Sequence, residues 1–153
     1  MKRFLVGGAL LSACIGTTPP TPLPQGDADA FVANVQPVLE DRCADPSCHG
    51  HVDRPFRVFG VLRERLDPTT TLPSDPLTAA ELASNMRAFE SFALDTVEAG
   101  QTLDECLILR KPLPPEELGA AHVGGVIFDS TYDRQWRAMY HWIFSLYPNG
   151  SAP

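Results

Sequence analysis

The chain has 153 residues, with 12 lysines and arginines against 19 aspartates and glutamates, a formal charge of −7 and 44% hydrophobic content. That length fits one folded domain with short extensions, and the apolar fraction supports a modest core. So acidic a chain repels phosphate backbones, which argues against nucleic acid as a partner, and its 15 prolines and 11 glycines predict long irregular connections.

The first residues read as an export signal: "MKR" is basic, "FLVGGALL" is apolar but too short to span a bilayer, and "LSAC" ends it with small residues. "LSAC" resembles the lipobox of bacterial lipoproteins, which implies that residues 1–13 are a signal peptide and that Cys14 is lipidated and becomes the new N-terminus. An ordinary signal peptide that happens to contain a cysteine is the competing reading. Loss of Lys2 and Arg3 leaves the mature chain more acidic still, so the membrane attachment comes from acyl chains and not from charge. Residues 14–26 carry Cys14 and the proline-rich "IGTTPPTPLPQG", expected to be an extended tether. Ile15 offers no acidic inner-membrane retention signal, so the expected location is the outer membrane, facing the periplasm or the cell surface.

The folded domain is expected over 27–147, with a short tail at 148–153. In "DADAFVANVQPVLEDRC" the apolar residues Phe31, Val35, Val38 and Leu39 fall on one helical stripe, which Pro37 should kink or restart. "LTAAELASNMRAFESFALDTVEAG" predicts a second helix, with Thr78 and Glu81 as a capping box, Leu82, Met86, Phe89 and Ala93 on one face and Gly100 at its end. "STYDRQWRAMYHWIFSLYPNG" predicts a third, started by Ser130 with Asp133, striped by Trp136, Met139 or Tyr140, Ile143 and Tyr147, and stopped at Pro148. "FRVFGVL" and "CLILR" are open to short strands, although neither alternates. The fold class is therefore mostly α, a helical domain with long proline- and glycine-rich loops.

"RCADPSCHG" follows the first helix and carries Cys43, Cys48 and His49. A c-type haem is held by thioethers from two cysteines, and the histidine beside the second cysteine ligates the iron. The usual gap between the cysteines is two residues; here it is the four-residue "ADPS", whose turn formers suit a wider loop. A Cys43–Cys48 disulfide, or one made with Cys106, fits an exported protein equally well, and a zinc site of Cys43, Cys48, His49 and His51 is a further option.

"FVANVQPVLEDRCADPSCHG" resembles the start of the cytochrome c-like domains found in lipoproteins and exported proteins of myxobacteria and planctomycetes. The likeness resumes in "LILRKPL", "HVGGVIF" and "YDRQWRAMYHWI". It implies a cytochrome c-like domain with one covalent haem c, attached at Cys43 and Cys48 and ligated by His49, that exchanges electrons with redox proteins. The chain departs from the pattern in the valine of "HVGG", in the absence of a glycine-rich segment over 51–76, and in Cys106.

For the opposite face of the iron the candidates are Met86, Met139, His51, His122 and His141. His122 stands in the loop "AAHVGGV" shortly before the last helix, where class I cytochromes c also bring their distal ligand, and that resemblance favours it over Met86, Met139 or an open position. Phe31, Phe89, Phe128, Trp136 and Trp142 serve equally as haem packing or ordinary core. No nucleophile elbow, phosphate loop or His-Glu helix motif is present, so the expected role is an electron carrier rather than an enzyme, as a monomer, with a haem-free binding or structural lipoprotein as the rival and an open-iron haem enzyme third.

Overall fold

Asp27 starts the first helix by accepting the Ala30 N–H on its side chain at 3.0 Å. In this computed structural model, which describes residues 25–70 and 72–147, the helix runs through an α-turn at Ala28–Ala30, a π-helical stretch at Phe31–Val35 and an α-segment at Gln36–Arg42, together α1. The π-stretch is how the chain accommodates Pro37. A proline has no N–H to donate and its ring crowds the carbonyl one turn back, so the turn before it widens and Gln36 N–H reaches back to the Phe31 carbonyl. The expected stripe of Phe31, Val35, Val38 and Leu39 is buried. The expected signal peptide, Cys14, nearly all of the tether and the tail lie outside the described residues.

Thr78 and Glu81 form the expected capping box at the start of α2, Ala79–Glu98. Gly100 ends that helix with φ +64°, and Gln101 N–H closes onto the Thr96 carbonyl at 3.1 Å, which explains the glycine. The buried face differs from the expected one. Phe89 and Ala93 are buried, but Glu81 and Asn85 take the places expected for Leu82 and Met86, which are half-buried. Both polar side chains have partners that no local pattern announces. Asn85 accepts from Phe59 N–H and donates to the Phe59 carbonyl, both at 2.8 Å, and to the Gln36 side chain at 3.0 Å. Glu81 pairs with Arg65 at 2.9 Å, both side chains buried. A helix face can turn toward polar groups when each buried atom is satisfied in this way.

A 3₁₀ turn at Leu103–Glu105 leads to α3, Leu107–Arg110, so "CLILR" is a helical turn and not a strand. "FRVFGVL" is irregular, and no strand occurs among the described residues. The last helix, α4, spans Arg134–Phe144; its cap is Asp133, which accepts from Gln135 N–H at 2.7 Å and Trp136 N–H at 3.1 Å, rather than Ser130. Of the two options at the middle of its stripe, Met139 is buried and Tyr140 half-buried. The protein is mostly helical, as expected. No described helix is long and apolar enough to cross a membrane.

Aromatic contacts bind the three longer helices. Phe31 of α1, Phe89 of α2 and Trp142 of α4 meet with ring centres 5.3–6.0 Å apart, and Trp142 Nε1–H donates to the Asp27 carbonyl at 2.9 Å. First and last helices are thus packed together, and the segments 43–59 and 107–128 bound a cleft beside them.

Candidate functional site

Cys43 caps the C-terminus of α1, its N–H donating to the Leu39 carbonyl at 3.0 Å. The four-residue gap after it closes into a tight turn. The Asp45 carboxylate accepts from Ser47 N–H and Oγ–H at 2.9 and 2.6 Å, while its carbonyl accepts from Cys48 N–H and Gly50 N–H at 2.8 and 2.9 Å. His49 N–H returns to the Cys43 carbonyl at 3.1 Å, and Arg54 Nε–H donates to the Cys48 carbonyl at 3.0 Å. The widened loop therefore brings the Cys48–His49 pair back to the helix end instead of dispersing it. Gly50 is required for this: a Cβ there would stand 2.1 Å from the Ala44 carbonyl oxygen. Gly50→Ala is expected to cost roughly 1–3 kcal/mol through the forced backbone shift, read as a lowered midpoint in thermal or urea unfolding.

His49 donates from Nδ1 to the Phe56 carbonyl at 2.8 Å, with the Phe56 ring edge-on at 4.8 Å. A carbonyl only accepts, so the proton sits on Nδ1 and the lone pair on Nε2. Burial lowers the His49 pKa; the Phe56 bond opposes this, and the nearby His122, Arg54 and Lys111 reinforce it. The outcome is a neutral imidazole with a free Nε2, the form that binds a metal.

His122 repeats the arrangement. Its Nδ1 donates to the Gly125 carbonyl at 3.0 Å, which again leaves Nε2 the acceptor. Both glycines of "HVGG" have a reason: Gly125 holds φ +75°, and a Cβ on Gly124 would come within 3.0 Å of His122 Cε1. The fold brings the two imidazoles together as a stacked pair, ring centres 6.0 Å apart and planes 10° from parallel.

Between and beside these histidines lies an apolar cleft of about 260 Å³, floored by Leu39, Phe56, Phe89, Phe128 and Met139 and reached by both Cys43 and Cys48. A second space of about 470 Å³ adjoins it, sharing Cys48, His49, Lys111 and His122 in its lining. Together they fall within the ~300–1,000 Å³ usual for small-molecule sites. Although acids outnumber bases in the chain, the ionised side chains lining the two spaces are Arg42, Arg54 and Lys111, and no aspartate or glutamate lines either. An apolar floor with a cationic rim fits a flat apolar ligand that carries carboxylates on one edge.

Burial pushes the Cys43 thiol up to about 12, and the neighbouring Cys48 adds to this. Cys43 therefore stays protonated at neutral pH. Cys43, Cys48 and Cys106 are all free thiols. Cys106 is buried in the core and does not line the cleft, and burial raises its thiol pKa.

Of the other ligand candidates, Met139 reaches the cleft, Met86 packs against the core outside its lining, and His51 and His141 are exposed. Among the described residues no three His, Cys, Asp or Glu side chains converge on one point, so the proposed zinc set of Cys43, Cys48, His49 and His51 is not assembled. Phe89 and Phe128 line the cleft, whereas Phe31, Trp136 and Trp142 are core behind it. Sequence reasoning missed Phe56, Phe92, Leu107 and Ile127 in the lining. The 51–78 stretch has no periodicity that could have flagged Phe56; Leu107 lay in a segment open to a strand. No family model, curated protein or solved structure matches the chain.

Proposed function

We propose that this protein is a membrane-anchored c-type cytochrome of the cytochrome c-like kind, carrying one covalent haem and passing single electrons between redox proteins outside the cytoplasm. The observation that carries the reading is the facing pair His49 and His122, across an apolar cleft that Cys43 and Cys48 both reach. A haem asks the protein for only two axial ligands, since the porphyrin supplies the other four. His49 and His122, each with its lone pair left on Nε2, are the residues that would hold the iron.

Haem, when bound, supplies the one-electron ferric–ferrous couple. The chain's residues hold and tune it. The Phe56 and Gly125 carbonyls fix the tautomers and orientation of His49 and His122. Leu39, Phe89, Phe128 and Met139 exclude water from one side, and Lys111 and Arg54 are placed to offset carboxylates at the open side. Two imidazoles favour the ferric state more than an imidazole with a thioether, which places the potential below that of a His–Met pair. There is no bond-making role for the protein. It acts as a monomer exported to the outer membrane, on the periplasmic or surface side, anchored by lipid at Cys14, and does not engage nucleic acid.

That Cys43 and Cys48 are both free thiols lining one cleft also favours a second reading, a haem-free structural or binding lipoprotein closed by a Cys43–Cys48 disulfide. Expression with the c-haem maturation system separates the two. The expected result is a Soret band and a haem-sized mass increment that survives denaturation. A colourless product two hydrogens lighter than the dithiol form ends the haem reading. His122→Ala is expected to convert the low-spin spectrum to high-spin; an unchanged low-spin spectrum removes His122 as ligand and points to Met139.

A further inference from the structure

The two facing histidines are held very differently. His49 lies on a loop pinned from several directions: the Asp45 turn, Arg54 on the Cys48 carbonyl, Phe56 on the ring, and Val58 N–H on the His49 carbonyl at 2.8 Å. His122 rides on residues 121–126, a flap fastened only at its two ends. Ala120 N–H donates to the Arg110 carbonyl at 3.1 Å, and Ile127 and Phe128 N–H both donate to the Pro112 carbonyl at 2.9 and 3.0 Å, with the Phe128 ring buried. Both fastenings thus converge on the three-residue stretch 110–112.

Between them, the hydrogen bonds of 121–126 among the described residues are internal. Gly125 N–H meets the His122 carbonyl and His122 Nδ1–H meets the Gly125 carbonyl, each at 3.0 Å. Ala121, Val123, Gly124, Gly125 and Val126 are exposed. Swinging the flap outward therefore breaks no hydrogen bond to the rest of the described chain and pulls no buried apolar side chain of its own out of the core. Such a segment opens at low free-energy cost, while the cores it hangs from stay closed. The 470 Å³ space lined by Arg54, Pro55, Lys111 and Ala121–Gly124 gives an approach from the flap side.

We propose that the position held by His122 is a ligand-exchange site, in which the flap carries His122 away and a small neutral π-acceptor diatomic, of the carbon monoxide or nitric oxide class, takes its place opposite His49. This rests on the haem reading above. With haem bound, His122 Nε2 would give up its place on the iron and the diatomic would take it; for carbon monoxide this exchanges one two-electron donor for another and the iron stays ferrous, whereas nitric oxide would add its odd electron to the iron–ligand unit. His49 stays bound throughout, because its mount has no comparable freedom.

The probe is carbon monoxide, added to the dithionite-reduced, haem-loaded protein and followed in the Soret band. The expected binding rate rises with carbon monoxide concentration and then levels off at the rate of flap opening. His122→Ala is expected to bind about tenfold faster or more, without that plateau. Amide hydrogen exchange on the same loaded protein gives a readout without added ligand: Val123–Val126 are expected to exchange about tenfold faster or more than Ile127 and Phe128. A loaded protein inert to carbon monoxide, a His122→Ala variant binding at the parent rate, or equal protection across 123–128 overturns the exchange site alone. A preparation with no Soret band overturns the haem reading, and this inference with it.

Discussion

On the proposed haem reading, serine at both Cys43 and Cys48 is expected to leave the purified protein with no covalently held haem, whereas either single replacement is expected to leave a haem-sized adduct on the remaining cysteine. Cys43 closes α1 and Cys48 follows a turn that returns the chain to that helix end, so both thiols line one cleft although four residues separate them. Removing the thiols does not dismantle the turn, because the Asp45–Ser47 bonds, the His49–Cys43 backbone bond and the Arg54 contacts use no sulfur. A hydroxyl at half-buried position 43 costs up to about 1–3 kcal/mol where it lacks a partner. That cost lowers yield without explaining a lost adduct. Intact mass after denaturation and extraction of the pigment into acidified organic solvent check the result. An adduct that survives the double replacement places the attachment elsewhere, and a parent with no adduct removes the thioethers from the account.

The parts of the molecule legible in the sequence are those governed by local rules. The α1 stripe, the Thr78–Glu81 box and Gly100 depend on residues within a turn or two of each other, and the structure has each of them. The consequence of Pro37 was also local, although its form, a π-stretch rather than a sharp kink, depends on keeping Phe31 and Val35 against the core. Cys43, Cys48 and His49 could be grouped from spacing alone. His122 could be found only by likeness, and its pairing with His49 is a product of the Pro112 and Arg110 fastenings, made by backbone atoms that carry no sequence signature. The same holds for the buried polar face of α2. Arg65 is sixteen positions from Glu81 in a stretch with no periodicity, and a pattern of apolar residues naturally assigned Leu82 and Met86 to the inside.

Replacing Arg65 by methionine should unfold much of the loop that leads into α2. The guanidinium donates to both Glu81 oxygens at 2.9 and 3.1 Å and to the carbonyls of Thr70, Asp75 and Pro76 at 2.9–3.1 Å, so one side chain fastens the segment 65–81. Breaking a buried pair by removing one partner costs roughly 3–5 kcal/mol, because a charge is left without compensation. The sign of the pH dependence then inverts. In the parent, burial alone would raise the Glu81 carboxyl, but Arg65, the Thr78 and Leu66 N–H donors and the Thr78 hydroxyl outweigh it and bring it from 4.5 to about 2. A carboxylate lowered on folding stabilises the fold above its unfolded value, and that contribution fades as pH falls from about 4.5 toward 2. Without Arg65, burial dominates, the folded carboxyl rises above its unfolded value, and acidification toward pH 4 restores part of the lost stability. Arg65→Met/Glu81→Gln, which removes both charges and keeps a hydrogen-bonding side chain at the cap, is expected to be more stable at pH 7 than Arg65→Met alone and to lack the inverted slope. Urea midpoints of the three proteins at pH 4 and pH 7 decide it: parallel behaviour of the single variant and the parent across that range would show that Glu81 is not held as a buried anion by Arg65.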